Sequence, residues 1–174
     1  MEPWIECLSG NKFWFTTEDT DGICIEDIAG ALSKMCRFTG HCRRFYSVAE
    51  HSVWVSDLLP KELQLAGLLH DASEAYLADI ASPVKQLLPD YKIIEERVMR
   101  KIAKKFNLPE GFDKLPEIKS ADWAQLKTEA EYLLPSGGKD WYFPKGTGKG
   151  HPPLGQSPND AAWMFTNAFK RLTK

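Results

Sequence analysis

Leu63-Gln64-Leu65-Ala66-Gly67-Leu68-Leu69-His70-Asp71 is the most hydrophobic helical segment of the chain, and it closes on an imidazole and a carboxylate. Leu63, Ala66, Gly67, Leu69 and His70 fall on one side at helical spacing, which predicts a buried helix over about 61–78. On its N-terminal side, Ile25, Ile28, Ala29 and Leu32 repeat at the same period and predict a helix ending near Met35. Ser47 is placed to cap another, which carries Val48, His51, Val55 and Leu58 or Leu59 and stops at Pro60. Further on, Asp90 is placed to cap a helix bearing Ile93, Ile94, Val98, Ile102 and Phe106. Two more are expected over 116–134 and 158–172, the last opened by Ser157-Pro158, with Pro at the first helical position. Residues 11–15 and the polar run 16–22 read as a short strand or hairpin. The expected fold is mainly α. It is a helical bundle with a short N-terminal β-hairpin, one domain over 1–174 whose core spans about 25–134.

Residues 135–157 interrupt the helical pattern. They are rich in Gly, Pro and Lys and contain Trp141, Tyr142 and Phe143, so they read as a long loop whose aromatics dock on the core, a ligand or another subunit. Lys plus Arg is 22 against 24 for Asp plus Glu, a net charge of −2. That balance argues against a global basic field for nucleic acid or anionic membrane. The 43% hydrophobic and 26% charged proportions are those of a packed globule rather than a disordered chain. Four cysteines (Cys7, Cys24, Cys36 and Cys42) lack C-x-x-C spacing, which excludes a zinc ribbon and fits reduced thiols. No basic segment followed by an apolar run opens the sequence, and no run of 18 apolar residues occurs. The expectation is a cytoplasmic protein with no membrane partner and no stable nucleic-acid binding.

Polar residues on apolar faces carry the chemistry. His51 points with Val48 and Val55, His70-Asp71 ends the apolar segment, and Asp122 lies four residues from both Ile118 and Leu126. An inward carboxylate needs a partner, because burying it alone costs several kcal/mol. Two His and two Asp satisfy one another through one divalent cation, and imidazole with carboxylate suits a first-row metal that keeps sites open for water and substrate. Glu74, four residues past His70, is expected on the same helical face, and Asp79 just beyond that helix. His41 and His151 stand outside this pattern, and Arg43 and Arg44 read equally well as site-adjacent cations or as a solvated loop.

Val48-Ala49-Glu50-His51-Ser52, Leu68-Leu69-His70-Asp71-Ala72-Ser73-Glu74-Ala75, Asp79-Ile80-Ala81-Ser82-Pro83-Val84-Lys85 and Ala121-Asp122 together resemble the HD-domain phosphohydrolase superfamily. Within it the chain is similar to bacterial 5′-deoxynucleotidases and to phage-encoded dNTP triphosphohydrolases, including the dATP-hydrolysing enzymes of aminoadenine phages. The resemblance implies that His51, His70, Asp71 and Asp122 hold a divalent ion (Co, Mn, Mg, Zn, Ni or Fe). It implies that Glu74 polarises the attacking water, with Asp79 as a second acid. It also places Arg37, Phe38, Lys85 and Lys119 on the substrate side, the cations at phosphate and Phe38 near sugar or base. Phe38 stands where those phage enzymes tend to carry Trp, which implies a more open base pocket that admits guanine or several bases.

The implied activity is hydrolysis of 5′-(deoxy)nucleotides at the α-phosphorus, as a purine dNTP triphosphohydrolase acting on dATP or dGTP or as a broader dNTP/dNMP phosphohydrolase. The alternatives are a 5′-deoxynucleotidase confined to dNMPs, a cyclic-nucleotide or alarmone phosphodiesterase, and a non-catalytic nucleotide-sensing module. The expected partners are a small nucleotide and further copies of the chain in a homo-oligomer.

Overall fold

The computed structural model describes residues 2–174. Two strands, β1 (Trp4–Glu6) and β2 (Lys12–Trp14), form an antiparallel hairpin with Ile5 opposite Phe13. Eight α-helices follow: α1 (Ile25–Leu32), α2 (Val48–Asp57), α3 (Gln64–Leu68), α4 (Glu74–Leu77), α5 (Ser82–Lys85), α6 (Pro89–Phe106), α7 (Pro116–Leu133) and α8 (Pro158–Leu172). Short 3₁₀ turns lie at Phe38–Gly40, Lys61–Leu63 and Phe112–Lys114. The fold is mainly α with a short N-terminal hairpin, as the spacing of the apolar residues predicts. No helix among the described residues is long and apolar enough to cross a membrane.

α2 is the central helix, packed against α3, α7 and α8, while α1 lies on α4 and α8. Its position follows from its sequence. The Ser47 side chain accepts from the Glu50 backbone N–H at 3.1 Å and caps the helix start. Val48, Ala49, His51, Ser52 and Val55 are then completely buried. Glu50 is buried too. Its carboxylate accepts from the backbone N–H groups of Leu154 (2.6 Å), Gly155 (3.2 Å) and Gln156 (2.8 Å), and from Trp54 Nε1 at 3.3 Å. Three loop donors thus meet one ionised acceptor, which ties the 154–156 stretch to α2 just before α8 begins. The hairpin is anchored by Phe13, stacked on Tyr76 at 4.0 Å, and by Lys101, which donates to the Trp14 carbonyl at 2.7 Å.

Three expectations need correcting. The strand paired with β2 is Trp4–Glu6, upstream of it, and not the polar run 16–22. Pro89, not Asp90, opens α6, so Asp90 lies inside its first turn; Ile93 and Ile94 are exposed, and the helix buries its stripe only from Val98 onward. Arg43 and Arg44 are exposed, in keeping with the solvated-loop reading, and their guanidinium groups donate to the carbonyls of Pro135 and Pro153, at the two ends of the long loop.

The third correction bears on the site. The run over 61–78 is not one helix but α3 and α4 with a tight turn over 69–73 between them. The Gly67 carbonyl, which an α-helix would offer to Asp71, is taken by the His70 backbone N–H at 3.5 Å and by His70 Nδ1 at 2.7 Å. The next bonds span three residues: Ala72 to Leu69, Glu74 to Asp71 and Tyr76 to Ser73. Three-residue winding eclipses positions i and i+3, so Glu74 aligns with Asp71 and not with His70.

α2 and α3 approach closely because Gly67 has no side chain. A Cβ there would meet Leu59 Cδ1 and lie 3.2 Å from the Ser56 Cα. Gly67→Ala is therefore expected to destabilise by about 1–2 kcal/mol, since overpacking outweighs the roughly 1 kcal/mol that Ala gains over Gly in a helix. A lower urea midpoint at unchanged m-value checks this; a higher midpoint contradicts it.

Candidate metal centre

His51 comes from the second turn of α2, His70 and Asp71 from the turn between α3 and α4, and Asp122 from α7. The folding brings all four together. His51 Nε2 lies 3.3 Å from Asp122 Oδ1 and 3.6 Å from Asp71 Oδ2. His70 Nε2 lies 3.2 Å from Asp71 Oδ2 and 3.9 Å from Asp122 Oδ1. Atoms bound at about 2.1 Å to one ion are separated by about 3.0 Å when cis in an octahedron and about 3.4 Å in a tetrahedron. The observed separations are near those values, and His51, His70 and Asp71 form a group that can hold a metal ion.

The hydrogen bonds behind the rings decide what the cluster offers. The Gly67 carbonyl can only accept, so His70 Nδ1 carries the proton and donates to it. His51 Nδ1 donates to Glu129 Oε1 at 2.7 Å. In the neutral rings each Nε2 is then the lone-pair acceptor turned to the cluster; both Nε2 atoms are buried and neither has a hydrogen-bond partner. The Asp71 and Asp122 side chains are about a quarter exposed, which leaves one approach to the cluster open. Four acceptors facing one another repel unless a cation joins them. A proton alone answers part of this. Burial and the Arg37 charge oppose protonation of His51, but Glu129 and Asp122 outweigh them and raise its pKa to about 9. Burial would raise Asp71, yet His70, His51 and Arg37 hold it well below the usual carboxylate range.

Glu129 was missed in the sequence. It is fully buried, and burial alone would raise its pKa, but Arg37 and His51 hold it down to about 2. The signal was present: Glu129 follows Asp122 by seven residues, two turns along α7.

The remaining expected site residues divide. Glu74 is buried, and burial with the charges of Asp71 and Asp79 pushes its carboxyl well above the ordinary range. Its Oε1 meets Lys85 Nζ at 3.3 Å, and Lys85 also donates to Glu95 at 2.8 Å. Asp79 is half-buried and raised by burial. Arg37 donates from Nε to Glu129 Oε2 at 3.0 Å, and its Nη1 reaches 3.9 Å from Asp71 Oδ2. Phe38 lies 5.5 Å from the Arg37 guanidinium carbon and 6.0 Å from the Trp141 ring. Phe38 and Thr39 both adopt positive φ (58° and 54°), a conformation that costs about 1–3 kcal/mol per residue and marks this turn as held by its surroundings. Lys119 is exposed on α7, and its charge, with that of Lys114, acts on Asp113.

The molecule is thus a mainly α protein with a buried imidazole–carboxylate cluster that can hold a metal ion. No family model matches the sequence. It is 39% identical to the uncharacterized protein YfdR of Escherichia coli (strain K12), over 98% of this chain and 96% of that protein, and so belongs to the YfdR family. It is also 34% identical to the uncharacterized protein RCAP_rcc00048 of Rhodobacter capsulatus, over 75% of this chain and 72% of that one.

Mn²⁺ or Co²⁺ is expected to raise thermal stability, by about 2.7 kcal/mol at a hundredfold excess over the Kd, and a chelator should reverse the gain. His70→Ala should abolish the response. A melting temperature unmoved by any divalent ion contradicts the assignment.

Proposed function

We propose that this chain is a metal-dependent phosphohydrolase of the HD type. It cleaves 5′-nucleotides at the α-phosphorus into the free nucleoside and phosphate or triphosphate, acting on purine dNTPs or more broadly on dNTPs and dNMPs. The observation that supports this reading is a buried carboxyl, Glu74, one three-residue turn beyond Asp71 of a four-residue cluster that Arg37 also approaches. When bound, a divalent ion lowers the pKa of water and of a neighbouring carboxyl and polarises a phosphoryl oxygen. Glu74 orients the attacking water and takes its proton. The water oxygen bonds to phosphorus as the bond from phosphorus to the 5′ oxygen breaks, its electron pair leaving on that oxygen. Asp79, raised by burial, supplies the proton that the departing oxygen needs. Arg37 and Lys85 offset the phosphate charge, and the Phe38 ring gives sugar or base a surface to stack on.

Product analysis by HPLC on the four dNMPs and four dNTPs, with Mn²⁺, Co²⁺ or Mg²⁺, tests the proposal. Triphosphate released from a dNTP supports the triphosphohydrolase, and orthophosphate from dNMPs alone supports the narrower nucleotidase. Binding without turnover supports a sensing module and contradicts catalysis. Glu74→Gln should retain metal and lose about 10²–10⁴-fold in kcat. The pH dependence has a defined sign. Lys85 lowers the Glu74 pKa, so Lys85→Met should move the acidic limb of the kcat/KM profile to higher pH. A limb that stays in place, or moves to lower pH, removes Glu74 as the base.

A further inference from the structure

Behind the cluster, one carboxylate serves two functional side chains. Glu129 Oε1 accepts from His51 Nδ1 and from the Tyr46 hydroxyl, each at 2.7 Å, while Oε2 accepts from Arg37 Nε at 3.0 Å. His51, Tyr46 and Glu129 have no solvent exposure, and Arg37 is also buried. Nothing in this group is free to rearrange without leaving a buried donor unmet, a loss of about 1–3 kcal/mol for each.

We propose that Glu129 is a positioning residue that couples metal loading to phosphate capture. Two consequences of its contacts carry this. First, as the acceptor at Nδ1, it places the single proton of the neutral His51 ring there and leaves the Nε2 lone pair facing Asp71 and Asp122. Without it, the tautomer protonated at Nε2, which cannot ligate, becomes available. Second, Glu129 offsets the charge of Arg37, whose Nη1 is 3.9 Å from Asp71 Oδ2. Without that offset, a guanidinium stands uncompensated beside the place a cation would take. Glu129 also fixes the direction of Arg37 through Nε and leaves the Nη groups to face the cluster. The metal half of this inference stands on the cluster alone. The phosphate half rests on the reading of Arg37 as a phosphate ligand.

Co²⁺ absorption titrations and binding of inorganic phosphate to the Co²⁺-loaded full chain test the coupling. Circular dichroism and the metal-free melting temperature establish that each variant is folded. Glu129→Gln is expected to bind Co²⁺ about 10–100-fold more weakly, with altered visible bands, and to lose phosphate affinity when saturated with Co²⁺. If it does not fold, Glu129→Asp, which pulls the carboxylate back by one methylene, should show the same losses to a smaller extent. Tyr46→Phe removes a hydrogen bond to the same carboxylate but leaves His51 and Arg37 held, and should bind both probes as the parent does. Arg37→Met should retain Co²⁺ and lose phosphate, and the Arg37→Met/Glu129→Gln pair should bind Co²⁺ more tightly than Glu129→Gln alone.

Unchanged Co²⁺ affinity and spectrum in folded Glu129→Gln would overturn the inference. So would lost Co²⁺ affinity with phosphate affinity intact, or a double variant no better than Glu129→Gln. A parent that hydrolyses no nucleotide, with Glu129→Gln weakening both probes, removes the proposed function and leaves the coupling in place.

Discussion

The hydrogen bond from His51 Nδ1 to Glu129 is the contact on which the site depends, because it joins the central helix to α7 at the place where the chemistry converges. α2 provides the imidazole and α7 both the carboxylate behind it and the Asp122 carboxylate in front of it. The remaining ligands come from the turn between α3 and α4, whose shape is set by the second imidazole bonding back to Gly67. Each histidine thus spends its Nδ1 proton on the scaffold and turns Nε2 toward the cluster. Backbone and side chains agree in this: the bond that orients His70 also takes the acceptor an α-helix would have used and forces the tighter winding that aligns Glu74 with Asp71.

Charge explains why these groups tolerate burial together. When both imidazoles act as ligands through an Nε2 lone pair, Arg37 set against Asp71, Asp122 and Glu129 leaves two negative charges. One divalent cation balances them. A partial set would be costly, since an unpaired buried charge is far more expensive than a paired one. Glu74, Lys85 and Glu95 make a second alternating group alongside, held by bonds of 3.3 and 2.8 Å. The near-neutral whole-chain charge conceals this local structure. Glu50 plays the equivalent part for the backbone: an ionised acceptor buried on α2 holds the end of the long loop and so sets where α8 begins.

Much of this was legible because apolar spacing and capping residues are local signals. Ser47 and Ser157 mark helix starts that the structure keeps, and the inward direction of His51 follows from Val48 and Val55. The break at 69–73 was not legible, since a tightly wound apolar run and an α-helix have nearly the same composition and spacing. Ile93 and Ile94 fit a helical stripe but stay exposed, while Tyr91 and Glu95 on the same end of α6 turn to Ala78 and Lys85. On α7 the buried face includes Gln125, Thr128 and Glu129 along with Ile118, so an apolar criterion passes over the carboxylate that holds His51, Tyr46 and Arg37. Polar residues buried through contacts distant in sequence, as Glu129 is with Arg37, leave little trace in local pattern.

The measurement that tests the central claim most directly is an anomalous diffraction map from crystals soaked in Mn²⁺. The account predicts a strong peak within about 2.2 Å of His51 Nε2, His70 Nε2 and a carboxylate oxygen of each of Asp71 and Asp122. Mn²⁺ bound elsewhere, or no peak between the two imidazoles at saturating Mn²⁺, would contradict it.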